Sequence, residues 1–175
     1  MKVIIFSDSH GNIKNMQNAI EKFKNEIVGI IHLGDYVEDL EKIKKIFKDK
    51  TFIQVAGNND FTDIPNEKII DINGHKIFLT HGHEYNVYFG IDRLYYKLCE
   101  MGINVGLYGH THKPFVFYED DFLILNPGSI SFPRGSSICT FIIIDFLDEI
   151  NYKFYGIFED GIKQIENKVV HKWTY

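Results

Sequence analysis

At 175 residues with a formal net charge of −5, the chain has the length of one domain and lacks the basic face that bulk binding to nucleic acid or anionic membrane requires. Its apolar share of 45% is ordinary for a soluble globular protein, and no run approaches the roughly 18 apolar residues of a membrane span. Two cysteines, Cys99 and Cys139, form neither a disulfide framework nor a CxxC motif and read as buried thiols of a reducing compartment.

Met1 is followed at once by Lys2 and a strand-like run, with no signal-peptide pattern, so a cytoplasmic location is expected. The run Val3-Ile4-Ile5-Phe6 predicts a buried strand that ends in Ser-Asp-Ser-His-Gly. Between Asn12 and Asn25 the apolar residues Ile13, Met16, Ala19, Ile20 and Phe23 recur at helical spacing. A second strand over 27–33 ends in Gly-Asp, a second helix falls at 38–48, and a third strand over 51–55 ends in Ala-Gly-Asn-Asn-Asp. Such alternation implies parallel strands joined by crossovers.

After Pro65 the texture changes. Segments 68–72 and 76–80 flank Asn73-Gly74, a strong hairpin signal, and the second arm ends in Thr-His-Gly-His. The spacing of Tyr85, Tyr88, Phe89, Leu94, Tyr95 and Leu98 predicts a helix over 85–100. A strand over 104–108 ends in Gly-His-Thr-His, and strands are expected at 115–118, 122–125, 138–146 and 150–158. With no linker or repeat dividing it, the chain reads as one α/β domain over 1–175: two β-sheets packed face to face as a sandwich, flanked by helices.

Metal-competent residues fall repeatedly just after an apolar run: Asp8 and His10, Asp35, Asn58, His81, then His110 and His112. In open α/β sheets ligands bind where loops converge at the carboxyl ends of strands. Five loops would thus bring two carboxylates, one amide and four imidazoles to one edge. Mixed donors of this kind suit borderline divalent ions, Mn foremost with Fe, Zn or Ni as alternatives. Two divalent ions, two carboxylates and one bridging hydroxide leave a single net positive charge, which attracts a phosphate that the overall charge of the chain would repel. Two metals about 3.5–4 Å apart can activate a bridging water and stabilise in-line displacement at phosphorus.

Asp8-Ser9-His10, Gly34-Asp35, Gly57-Asn58-Asn59-Asp60, His81-Gly82-His83 and Gly109-His110-Thr111-His112 resemble, in order, the five blocks of the calcineurin-like metallophosphoesterase superfamily. Thr-His-Gly-His and Asn126-Pro127-Gly128-Ser129 resemble its small bacterial and archaeal phosphodiesterase branch. The resemblance implies one metal held by Asp8, His10 and His112, a second by Asn58, His81 and His110, and Asp35 bridging them. It also implies hydrolysis of a small phosphodiester by a metal-bridging hydroxide. A phosphomonoesterase on the same site is the near alternative. A scaffold like the related retromer subunit is the distant one. Homo-oligomerisation occurs in the branch but no motif here specifies it.

Several residues keep two readings. Asn58 is a ligand or a turn residue; His83 orients a ligand, meets substrate or only makes a turn; Arg134 holds phosphate or faces solvent. His32, inside an apolar run, reads as a satisfied core histidine, while His75 and His171 read as solvent-facing. Asn59 departs from the Gly-Asn-His block of related branches, whose histidine protonates the leaving group. An amide has no proton to transfer near neutral pH, so either His10 or His83 substitutes or poor leaving groups react slowly. Asp60 is expected to cap or brace its loop.

Overall fold

The computed structural model describes residues 1–119 and 121–166. Strand β1 (Lys2–Phe6) lies at the centre of a six-stranded sheet, parallel to β2 (Gly29–His32), which is in turn parallel to β3 (Thr51–Gln54). Helices α1 (Ile13–Phe23) and α2 (Val37–Ile46) make the two crossovers. The other side of β1 is completed by antiparallel β9 (Cys139–Phe146), β10 (Ile150–Phe158) and β11 (Gly161–Gln164). The short last strand had no expectation behind it.

A second, five-stranded sheet has the order β4 (Glu67–Ile72), β5 (His75–Thr80), β6 (Val105–Leu107), β8 (Phe122–Pro127) and β7 (Pro114–Glu119). Its hairpin turns at Asn73 and Gly74, both with positive φ (55° and 84°), as an Asn-Gly turn of the primed kind requires.

Period-two alternation sorts the side chains into layers. Val3 and Ile5 of β1 point into the space between the sheets, where they meet Leu79, Leu107, Leu125 and Ile144. Ile4 and Phe6 point the other way, onto Met16, Ile20 and Leu40 of α1 and α2. A third apolar layer sets Leu94 and Leu98 of helix α3 (Asp92–Met101) against Phe78 and Ile124 on the outer face of the second sheet. The result is the expected pair of mixed sheets with helices outside. Central strands covered on both faces read as continuous apolar runs, which is why β1 and β2 show no polar alternation.

Three expectations are corrected. The helix expected over 85–100 begins only at Asp92, because Asn86 and Gly90 take positive φ (57° and 144°) and leave a short 3₁₀ turn at His83–Tyr85 followed by irregular chain. The cysteines are not buried: Cys99 is exposed and Cys139 half-buried. His75 is half-buried, its Nε2 2.6 Å from the Leu147 carbonyl and its ring beside Phe146. His171 lies outside the described residues. Among them, no helix is long and apolar enough to cross a membrane.

Candidate metal centre

The loops after β1, β2, β3, β5 and β6 converge at one end of the sandwich, so the candidate residues come from both sheets. Asp8, His10, Asp35 and Asn58 leave the first sheet, and His81, His110 and His112 leave the second. Donor atoms of Asp8, His10, Asp35 and His112 all lie within 4.8 Å of one another. His112 Nε2 stands 3.2 Å from Asp8 Oδ1 and 3.4 Å from His10 Nε2, and His10 Nε2 stands 3.6 Å from Asp35 Oδ2. On the other side of Asp35, its Oδ1 is 3.3 Å from His81 Nε2, which is 3.2 Å from His110 Nδ1. Asp35 thus belongs to both groups. Asn58 sits in the exposed turn after β3. The amide that reaches Asp35 is that of Asn59, whose Nδ2 donates to Oδ2 at 2.6 Å and whose backbone N–H donates to Oδ1 at 3.0 Å.

Proton positions follow from the outer contacts of the rings. His112 Nδ1 faces the Phe132 carbonyl at 2.6 Å and His81 Nδ1 faces the Leu33 carbonyl at 2.7 Å. A carbonyl only accepts, so both Nδ1 atoms carry hydrogen and both Nε2 atoms of the neutral rings turn a lone pair inward. Asp8 Oδ1 is buried without a hydrogen-bond donor. Lone pairs and carboxylate oxygens converging on one point, with an orphaned buried oxygen among them, fit a divalent cation. Without one, burial pulls His112 down, yet the Asp8 carboxylate 3.2 Å away outweighs it and holds the ring above its ordinary value. Burial, then the neighbouring His81, pushes His110 down to about 4.

The backbone is strained where the donors sit. Asp8, His10, Asp35, His110 and His112 all have positive φ, between 44° and 67°. Non-glycine residues rarely adopt this region, and it costs on the order of 1–3 kcal/mol where it persists. The loops that hold it are tied to each other. Asn126 Nδ2 donates to the Gly109 carbonyl (2.7 Å) and Thr111 Oγ1 (3.1 Å), while Ser129 Oγ donates to the Asp8 carbonyl (2.8 Å). The Asn-Pro-Gly-Ser segment is therefore a staple between the Asp8 and His110 loops. Asp60 braces its loop as expected and also caps α2.

A second brace involves residues that carried no expectation. Asp39 Oδ2 accepts from Ser9 Oγ and the Gly11 N–H, both at 2.8 Å, and its Oδ1 pairs with Lys42 at 3.0 Å. His32 is a buried, satisfied histidine, as expected. Its Nδ1 accepts from the Gly34 N–H at 3.3 Å, so its Nε2 donates to Ser9 Oγ at 3.1 Å. Burial pushes His32 down to about 4 from the ordinary 6.5. The folded chain therefore resists a proton that the unfolded chain takes up, and stability is lost as pH falls below about 6.5. The loss expected from this group is about 2 kcal/mol between about pH 7 and pH 5. Urea unfolding across that range should show it, with a flatter response in His32→Asn.

His83 and Arg134 both lie beside the centre. The His83 ring is 5.5 Å from that of His81, half-buried, with an unpartnered Nδ1 and a pKa lowered first by burial. Arg134 donates a hydrogen bond to the Tyr88 hydroxyl and lies over the Tyr88 ring. Tyr88 in turn packs on His110, with centroids 4.7 Å apart, and donates to its carbonyl at 3.0 Å. Tyr88 was read only as a helix residue in sequence. Its neighbours Asn86 and Gly90 carried the signal that it lies in a loop.

Two sheets face to face, with carboxylates and imidazoles gathered where their strands end, define a metallophosphoesterase. The family model of the calcineurin-like phosphoesterase superfamily domain matches residues 1–149, and the chain belongs to that family. It is 30% identical over 171 residues to a probable metallophosphoesterase, YsnB, of Bacillus subtilis, covering 97% of this chain and 99% of that one. It is 37% identical over 150 residues to the phosphodiesterase MJ0936 of Methanocaldococcus jannaschii, covering 73% and 83%. Among solved structures, the zinc complex of Vps29 from Entamoeba histolytica superposes with a TM-score of 0.80 at 19% identity, over 94% of this chain and 97% of that one.

Proposed function

We propose that this chain is a metal-dependent phosphodiesterase acting on small phosphate diesters. The observation that carries the reading is Asp35, a buried carboxylate common to two clusters of inward-facing donors. Asp8, His10 and His112 would hold one divalent ion with Asp35, and Asn58, His81 and His110 the other. Two ions there, Mn first among Mn, Fe, Zn and Ni, would supply Lewis acidity toward phosphoryl oxygens and a source of hydroxide at neutral pH.

The residues of the chain do the rest. The Phe132 and Leu33 carbonyls fix two imidazoles in the ligating tautomer. Asn59 donates to Asp35 and holds that carboxylate in place, a positioning role that leaves the usual position of the general acid without a titratable proton. Burial lowers the pKa of His83, so little of it carries the proton that a leaving group would need at pH 7. Esters of good leaving groups are therefore the fast substrates, since general acid catalysis is worth about 10²–10⁴-fold where it operates. The naming of MJ0936 as a phosphodiesterase supports the choice of diesters.

Protein stripped with chelator and reloaded with Mn should hydrolyse bis(p-nitrophenyl) phosphate faster than p-nitrophenyl phosphate, and the stripped protein should do neither. A faster monoester would make the chain a phosphomonoesterase. Failure to bind metal and absence of both activities would leave the scaffold reading.

A further inference from the structure

The irregular segment that replaces the expected start of α3 forms one wall of a cavity of about 270 Å³. Tyr88 and Phe89 stand on that side, and Thr111, Lys113 and Phe115 on the other. The cavity opens beside the metal centre, since Thr111 lies between His110 and His112 and the Tyr88 ring packs on His110. The buried rings of Tyr108 and Phe115 line it, while Phe89 is 85% exposed. Tyr88, at 46% exposed, adjoins it, so two neighbouring rings present apolar surface together beside a polar site, and contiguous exposed apolar surface of that kind marks binding surfaces. Cations stand at the mouth. Lys113 lines it, and Arg134 lies over the outer Tyr88 ring.

From this we infer that the substrate is a phosphodiester with a planar aromatic arm, of which a nucleoside is the biological form. The inference rests on the phosphodiesterase reading and names its substrate class. With the phosphate at the metal centre, the adjoining arm enters the cavity and stacks on Phe89 beside Tyr88, while Lys113 and Arg134 offset the negative charge at the mouth. The volume falls just short of the roughly 300 Å³ at which ligand pockets begin, so it suits one ring system rather than a long chain. Stacking tolerates any base, because every base presents a π face. A protein partner would bury roughly 800 Å² of each surface, far more than this concave cleft offers.

Two p-nitrophenyl diesters with the same leaving group test this, one with a methyl arm and one with a thymidine arm. The Mn-loaded protein should favour the thymidine ester by about tenfold in kcat/KM. Phe89→Ala should remove that preference and leave the methyl ester within twofold of wild type. Calorimetry gives a second arm that needs no turnover: thymidine 5′-monophosphate should bind about tenfold tighter than ribose 5-phosphate, and equally tightly in Phe89→Ala. Equal affinities in the wild type would overturn the inference, as would equal kcat/KM for the two esters or a uniform loss in the variant. If neither ester is hydrolysed, the phosphodiesterase reading fails, while the binding comparison still decides whether the cavity takes an aromatic ring.

Discussion

Asp35→Asn should lower the hydrolysis of bis(p-nitrophenyl) phosphate by on the order of 10³-fold or more. Transition-state stabilisation by metals of several kcal/mol converts to such a factor. The substitution changes almost no volume, yet it removes one of two buried carboxylates at the centre. It also puts an NH₂ group in place of one oxygen, facing either His81 Nε2, 3.3 Å from Oδ1, or His10 Nε2, 3.6 Å from Oδ2. Asn59, which donates twice to Asp35, would face a group that can accept from it only once. Metal content measured beside the rate separates loss of ions from loss of chemistry. An Asp35→Asn protein that keeps wild-type activity would sink the proposed function.

Asp60→Ala should be the most damaging change among residues that are not themselves candidate ligands. The Asp60 carboxylate accepts from four backbone N–H groups: Tyr36 (2.7 Å) and Val37 (3.0 Å) through Oδ1, and Asp35 (2.9 Å) and Gly57 (2.7 Å) through Oδ2. It therefore caps helix α2 from a distant loop and ties the Asp35 turn to the Asn58 turn. Helix N-termini leave N–H groups without partners, and hydrogen bonds to a charged acceptor are worth about 1.5–3 kcal/mol each, less when several are lost together. A total near 3–4 kcal/mol is expected, which lowers Tm by roughly 10 °C for a chain of this size. Asp60→Asn, with one acceptor oxygen, should recover part of it. Calorimetric titration with Mn should show a 10–100-fold weaker affinity, the usual effect of losing an outer contact to a ligand loop. A thermal melt matching wild type would refute the cap.

Much of this could be read from the chain before folding. Apolar runs ending in Asp, Asn and His place β1, β2, β3, β5 and β6 and their loops, and Asn73-Gly74 places the hairpin. The start of α3 was misread because Tyr85, Tyr88 and Phe89 obey helical spacing for another reason, as walls and packing of a loop. The braces were largely hidden, since they join residues far apart in sequence. Ser129 and Asp8 are 121 positions apart, and nothing in their local context announces the bond. Left-handed backbone at five donors was hidden as well, because Asp and His give no local sign of it where glycine would.

Each sheet brings only part of the donor set: the first carries the carboxylates, His10 and Asn58, the second the remaining imidazoles. Neither half can grip a pair of cations before the two have docked, so affinity belongs to the finished sandwich alone. Ions that bind only that state stabilise it by mass action. Interactions absent from the folding transition state slow unfolding and leave the folding rate nearly untouched. A metal pair in this protein would therefore act as a kinetic lock, closing last and opening first.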